Sequence, residues 1–186
     1  MTQLNFFTVC WWVFIIVWVS TALSVKPTRE RQDWGVRLFT CAFLTVMSLL
    51  LTGMIQWQGI DTRLWSFGTV LRYIAYVLML SGLVIAIWAR FVLGTNWSAT
   101  VTFREGHELI ERGPYRLVRH PIYTGFLFMV GGTALALGNL AGILALVICF
   151  LGHWWKLRRE EALLTKHFPT YPEYKLRTKA LIPFIF

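Results

Sequence analysis

Hydrophobic and polar positions along this chain fall into long blocks rather than short alternations. Leu4–Val25 and Leu38–Trp57 contain no charged residue, and Phe67–Leu93 contains only Arg72 and Arg90. A membrane-crossing helix needs about 20 predominantly apolar residues, so each block predicts one. Two shorter runs follow, Ile122–Leu137 and Ala141–Trp155, separated by Gly138-Asn139. Both linker residues tolerate positive φ, which predicts an antiparallel helical hairpin. At 1.5 Å per residue each arm reaches roughly 24 Å against a hydrocarbon core of about 30 Å. Such arms must borrow flanking residues, thin the bilayer or stop short of the far side. The pattern predicts an all-α integral membrane protein of about five transmembrane helices, forming one membrane domain over 1–186. Residues 1–93 carry three helices. Residues 94–186 carry an interfacial loop, the hairpin, a C-terminal helix and a tail.

The polar segments are as informative as the apolar ones. From Gly94 to His120 the apolar run gives way to Gly, Thr, Asn, Glu, His and Arg, which predicts irregular structure at a membrane surface. Lys156–Lys179 begins as a basic helix that Pro169 and Pro172 interrupt, and Leu181–Phe186 is a greasy tail suited to docking on the membrane or the protein. No Lys or Arg precedes Leu4–Val25, and the run is long, so it is expected to be a retained helix rather than a signal peptide. Arg72 and Arg90 lie near opposite ends of the third span, where they can snorkel towards opposite interfaces and so need not be buried charges.

Composition agrees with the membrane reading. The 186 residues are 56% hydrophobic and 15% charged, with ten Trp and a mean hydropathy of +0.57; soluble domains average about 25% charged residues. The formal net charge is +9. On a soluble protein that excess would suggest nucleic acid, but here basic cytoplasmic loops account for it, and no nucleic-acid partner is expected. Lys26–Arg37 holds four Lys+Arg, Arg90–Arg119 holds five and the segment from Lys156 onward holds seven, sixteen of the eighteen in all. The positive-inside rule places that face in the cytosol. The N-terminus is then outside, the C-terminus inside, and the membrane a cytoplasmic (inner) one. Cys10, Cys41 and Cys149 each sit in an apolar run without a Cys-x-x-Cys pair, so neither a disulfide framework nor a thiolate zinc site is supported.

Most polar functional groups fall in two blocks. The first runs from Gly106 to Gly125, with His107, Tyr115, Arg119, His120 and Tyr123. His120-Pro121 precedes the hairpin's first arm, and proline suits the first turn of a helix. The second block is Lys156-Leu157-Arg158-Arg159-Glu160-Glu161, followed by Phe168, Tyr171 and Tyr174. On a helix Lys156 and Glu160 share one face, with His153 and Leu157 on the same stripe. Trp154 and Trp155 suit an interfacial aromatic belt better than a binding cage. The four histidines show no metal-ligand spacing, so no metal is expected, and neither a Gly-x-Gly-x-x-Gly nor a P-loop is present. Taken alone, the blocks fit either a site or an interfacial connector anchored by Tyr and Arg.

The run Gly113-Pro114-Tyr115-Arg116-x-x-Arg119-His120-Pro121-x-Tyr123-x-Gly125 resembles the isoprenylcysteine carboxyl methyltransferase family, especially its prokaryotic members. Gly94-x-Asn96-Trp97-Ser98, His107-x-Leu109, Glu160-Glu161-x-x-Leu164, Phe168, Tyr171, Tyr174 and Ile182-Pro183 extend the resemblance over about the last half of the chain. The resemblance implies a membrane enzyme using S-adenosylmethionine and releasing S-adenosylhomocysteine. Its cofactor pocket would be formed by the 94–121 loop and the C-terminal segment, making 94–186 the methyltransferase core. By motif position, the implied cofactor contacts are Thr100, His107, Glu108, Leu109, Ile110, Tyr115, His120, Pro121, Ile122, Tyr123 and Glu160. Eukaryotic members place an Arg four residues before the first motif Glu to meet the substrate carboxylate. Here that position is Lys156, which keeps the charge but lacks the guanidinium fork.

These residues suit methyl transfer to a carboxylate. A carboxylate is already ionised at neutral pH, with a reference pKa of about 4, and needs orientation in a dry pocket more than a general base. Lys156 and Glu160 are the candidate catalytic residues, and the acceptor is an isoprenylcysteine-like or other lipophilic molecule, with membrane lipids as neighbours. One rival is a phospholipid N-methyltransferase, whose amine acceptor must lose a proton, with Glu160 or Glu161 as base. A second is a non-enzymatic membrane anchor or sensor. A third, a sterol-reductase-like enzyme, requires NADPH.

Overall fold

A computed structural model of the chain describes residues 2–22, 42, 46, 59–60, 62–66, 68–97 and 109–183. The expected span Leu38–Trp57 lies almost wholly outside the described residues, as do Cys41, Thr100, His107 and Glu108. The helices described are α1 (Thr2–Ala22), α2 (Thr69–Leu93), α3 (Pro121–Leu137), α4 (Leu140–His167) and α5 (Tyr171–Arg177). Among the described residues the only extended pairings are two isolated bridges, Arg63–Asn139 and Val118–Lys179. Among the described residues two segments, Thr69–Asn96 and Leu140–His167, are long and apolar enough to cross a membrane.

Helices α2 and α3 form the centre of the fold because their facing residues are small. Ala75, Gly82, Ala86 and Ala89 lie buried along α2, and Gly125 and Gly132 lie buried along α3. A Cβ at Gly82 would stand 2.5 Å from the Gly125 carbonyl oxygen, and one at Gly125 would stand 2.5 Å from that of Gly82. Such contacts let backbones approach and pack where lipid supplies no hydrophobic drive between helices. Helix α1 lies against this pair through Phe7, Cys10 and Phe14, with Trp11 against Phe126 at 5.3 Å.

The hairpin forms as its linker predicts, with the two turn residues in different roles. Gly138 takes φ 64° and caps α3, while Asn139 has φ −130° and caps α4, its side chain accepting from the Gly142 N–H at 3.0 Å. The second arm differs from the expected short helix. Nothing breaks it at Trp155, since Lys156–His167 is rich in good helix formers, and α4 continues for 28 residues. Pro169 then stops it, and Pro172 opens α5. The first residue of the greasy tail packs on protein: Leu181 is buried against Leu157 and Ala180.

Arg90 departs from expectation. It does not snorkel: it is 2% exposed, donates to the carbonyls of Gly94 at 2.8 Å and Thr21 at 2.7 Å, and lies 4.4 Å over the Trp97 ring. Two helix ends need their last carbonyls satisfied, and this guanidinium serves both α1 and α2.

The glycine contact generates a prediction. Gly125→Ala should destabilise the protein by about 1–3 kcal/mol, the usual cost of overpacking, read as a lower unfolding midpoint in detergent. Gly131→Ala, whose Cβ meets nothing nearer than Leu146 Cδ1 at 4.0 Å, should leave the midpoint nearly unchanged.

Candidate active site

The two polar blocks meet where the start of α3, the polar end of α4 and the segment after α5 converge. The backbone makes the first connection. Val118 bridges Lys179 in parallel, the Arg119 N–H donates to the Lys179 carbonyl at 2.8 Å, and the His120 N–H donates to that of Ala180 at 3.0 Å. The Thr124 hydroxyl, one turn into α3, donates to the Leu181 carbonyl at 2.6 Å. The tail is thereby held along the first turn of α3.

An ionic junction locks the same place. Arg119 Nε donates to Glu161 Oε1 at 2.7 Å, and Lys175 Nζ stands 2.9 Å from Glu161 Oε2. A second Arg119 nitrogen donates to the Thr178 carbonyl. The Arg119 and Glu161 side chains are only 10% and 8% exposed. Glu161 therefore spends its charge on Arg119 and Lys175, and its geometry is that of an anchor.

Glu160, one residue earlier, is differently placed. Tyr123 donates its hydroxyl to Glu160 Oε1 at 2.7 Å. The other carboxylate oxygen lies 3.6 Å from His120 Nδ1. The His120 and Tyr123 rings are parallel, with centroids 5.4 Å apart, and His120 Nε2 is buried with no hydrogen bond of its own, 3.4 Å from Glu161 Oε1. Lys156, one turn before Glu160, holds Nζ 5.5 Å from the centre of the Tyr123 ring. His120, Tyr123, Lys156 and Glu160 thus form one cluster of a carboxylate, a phenol, an imidazole and a cation, beside the apolar part of the hairpin.

The remaining candidates lie around this cluster. Tyr115 occupies a 3-10 turn, Gly113–Arg116, that packs against α2; its hydroxyl is 3.4 Å from the Ala89 carbonyl, and its own carbonyl accepts from Tyr174 at 2.7 Å. Burial pushes the phenols of Tyr115 and Tyr174 above their ordinary pKa, so both act as neutral hydrogen-bonding groups. Pro121 is buried as the first residue of α3, with Ile122 half-buried beside it. Leu109 and Ile110 lie half-buried in the connector before the 3-10 turn, and the structure brings neither into polar contact with the cluster.

Three residues matter more than their sequence positions suggested. Arg119 stood in the first motif without an assigned partner, and Lys175 was only one of many basic residues. A signal for the Arg119–Glu161 pairing existed, since an acidic pair in so basic a segment needs cations. The third is His153, on the same α4 stripe as Lys156. Its Nδ1 lies 2.8 Å from the Cys149 carbonyl, its ring meets Tyr123 edge-on at 4.6 Å, and Phe126 covers it at 5.3 Å. A polar side chain inside an apolar run was the available sign.

Comparison with known proteins fits this arrangement. The family model of phospholipid methyltransferases matches residues 70–171, from α2 to the start of α5. A nickel-cobalt-cadmium resistance protein of Alcaligenes xylosoxydans xylosoxydans is 33% identical over 84% of this chain and 66% of its own length. A probable protein-S-isoprenylcysteine O-methyltransferase of Oryza sativa is 32% identical over 61% of each chain. The solved eukaryotic intramembrane Ras methyltransferase, an isoprenylcysteine carboxyl methyltransferase, shares the fold with a TM-score of 0.55 at 23% identity, covering 80% of this chain and 53% of that one. The chain thus spans about two thirds or less of the length of these relatives. It belongs to the phospholipid methyltransferase family, and its likeness to isoprenylcysteine methyltransferases, first read from the motif, is borne out by these relatives.

The two glutamates should behave differently on mutation. Glu161→Gln strands Arg119 in a buried site, and breaking a buried pair typically costs about 3–5 kcal/mol, read as a markedly lower unfolding midpoint. Glu160→Gln, on a side chain 22% exposed, should leave the midpoint nearly intact.

Proposed function

We propose that this member of the phospholipid methyltransferase family is an S-adenosylmethionine-dependent, multi-pass membrane enzyme that methylates the carboxylate of a lipophilic acceptor. The carrying observation is the hydrogen bond from Tyr123 to Glu160, with Lys156 over the same tyrosine ring. It places an anion and a cation on one face of α4, beside apolar helix.

The residues suit the cofactor. S-Adenosylmethionine presents an ammonium, ribose hydroxyls and a sulfonium, all of which call for acceptors. Glu160, partly exposed, is such an acceptor, and the buried His120 Nε2 is a polar atom without a hydrogen bond. Tyr115, Leu109, Ile110, Pro121 and Ile122 would wall the pocket, together with Thr100, His107 and Glu108 from the preceding loop. When bound, the cofactor supplies an electrophilic methyl group on sulfur.

The chain's own part is orientation and exclusion of water. Lys156 meets the acceptor carboxylate and aims one oxygen at the methyl carbon. Transfer of that methyl group to a carboxylate oxygen would require no proton to be taken up or released by these residues. Attack requires reacting atoms held roughly 3–3.5 Å apart, which a helix face provides better than a loop. Glu161 has no role in this step beyond holding Arg119 and so the start of α3. An amine acceptor remains the second reading, favoured by the family's description.

Substitutions at Lys156 separate the two. For a carboxylate acceptor, Lys156→Met should abolish turnover at nearly unchanged cofactor affinity, and Lys156→Arg should retain activity. For an amine acceptor, Lys156→Met should be tolerated and Glu160→Gln should be severe. Tyr123→Phe and Glu160→Gln should each weaken cofactor binding tenfold to a hundredfold by calorimetry, since a hydrogen bond to a charged group contributes about 1.5–3 kcal/mol. Unchanged affinity in both would place the cofactor elsewhere.

The membrane placement has five spans, with the N-terminus outside and the C-terminus in the cytosol of a cell bounded by the inner membrane. It rests on the basic-residue partition. A single cysteine at Gly59 should label from outside intact cells, and one at Lys179 only after permeabilisation; the reverse would invert the topology.

A further inference from the structure

We propose that the groove between α2, α3 and α4 binds one anionic phospholipid, an acyl chain lying in the groove and the phosphate on Arg158. The site rests on the membrane placement proposed above but not on the identity of the methyl acceptor. None of His120, Tyr123, Lys156 or Glu160 lines the groove.

The groove is a cavity of about 470 Å³ bordered by Leu78 of α2, Leu127, Phe128 and Gly131 of α3, Phe150 of α4 and Leu181 of the tail. Its lining exposes no polar surface. The Thr124 hydroxyl on its wall is spent on the Leu181 carbonyl. Val147, Phe150 and Leu151 are exposed along its rim, so among the described residues the groove is open on that side. A concave, wholly apolar surface on a helix face suits a hydrocarbon chain.

What stands at one end decides which lipid. Phe150 stacks on Trp154, with rings 6.4 Å apart and 10° from parallel, and the Arg158 guanidinium lies 5.4 Å from the Trp154 ring centre. Trp154 also packs against the cluster of Leu157, Ala180 and Leu181, the last of which borders the groove. The series is therefore apolar groove, aromatic ring and guanidinium, rising about 12 Å along α4 from Phe150 to Arg158. That order repeats the profile of a leaflet from acyl chain through interface to phosphate. Arg158 is exposed, and a guanidinium offers a fork of donors matched to phosphate oxygens. A second copy of the chain is a poorer occupant, because two surfaces from a chain of net charge +9 would meet at this cationic rim.

The test uses the full-length chain reconstituted in bilayer discs of equal phosphatidylglycerol and phosphatidylcholine, then extracted into detergent, with retained lipid measured by mass spectrometry. Phosphatidylglycerol has neither an amine nor a carboxylate, so its retention reports binding rather than turnover. The wild type should retain phosphatidylglycerol several-fold over phosphatidylcholine. Arg158→Gln should lose that preference and still retain lipid. Gly131→Leu, which adds a side chain where a Cβ meets nothing nearer than 4.0 Å, should fill the groove and lower total retention. Equal retention of the two lipids by the wild type, or unchanged retention in both variants, would overturn the site. Calorimetric cofactor affinity in the same preparations keeps the two readings apart. Lost lipid with unchanged cofactor affinity in the variants supports the groove. Lipid preference in a protein that binds no cofactor upholds the groove and overturns the methyltransferase reading.

Discussion

The site depends on one contact, the pairing of Arg119 with Glu161. These residues come from the two polar blocks, 42 positions apart, at the ends of the two arms that the hairpin brings side by side. The segment around them is strongly basic, so the start of α3, the polar end of α4 and the tail would repel one another if the acidic pair were absent. Glu161 takes both Arg119 and Lys175, and the Arg119 fork reaches on to the backbone carbonyls of Lys175 in α5 and Thr178 just after it. A buried ion pair adds little net stability, because desolvation offsets most of its attraction. What it supplies here is register. With Arg119 fixed, His120 and Tyr123 fall on the side of α3 that faces Glu160, one residue before the anchor.

Depth is set separately, by the absence of side chains. Gly82 and Gly125 allow α2 and α3 to touch backbone to backbone, and Gly132 repeats the contact against Ala75. That close approach brings the 3-10 turn at Tyr115 onto Ala89. It also leaves Arg90 one residue further on, too deep to reach water, so its charge is met by helix-end carbonyls and the Trp97 face instead. The fold thus has a rigid apolar hinge line and an ionic latch at one end of it. The candidate cluster lies at the latch.

How much of this could be read from the residues follows from the range of each interaction. The α1, α2 and hairpin helices were legible because apolar runs, the Gly138-Asn139 turn and the two prolines after α4 act locally. The joining of the two blocks was legible only through the family motif, and within it the roles of the two glutamates were not. Adjacent glutamates look alike in sequence; their difference comes from 100° of helix rotation and from what the tail presents to each. Arg90 was misjudged for a related reason. Position near the end of a span suggests snorkelling, whereas burial depends on whether another helix end and an aromatic ring cover it. The length of α4 was also underestimated, because hydropathy marks where a membrane ends, not where a helix does.

The placement of Lys156 bears on the choice of acceptor through simple electrostatics. Two unit charges 4 Å apart interact by about 4 kcal/mol at an effective dielectric of ~20. With a carboxylate acceptor that energy favours a bound, oriented nucleophile. Methyl transfer from a sulfonium to that carboxylate would remove two opposite charges from a region bounded by Phe126, His153 and the Tyr123 ring. A setting that solvates ions poorly promotes their loss. With an amine acceptor a positive charge would stand in the site both before and after transfer, so Lys156 would stabilise neither stage. Glu160 is one turn away and could meet that charge, but its Oε1 is already held by Tyr123. Of the two nucleophiles, a carboxylate would be the one that Lys156 helps to bind and orient, an attraction that acts on the bound reactant because it is lost as the charge disappears.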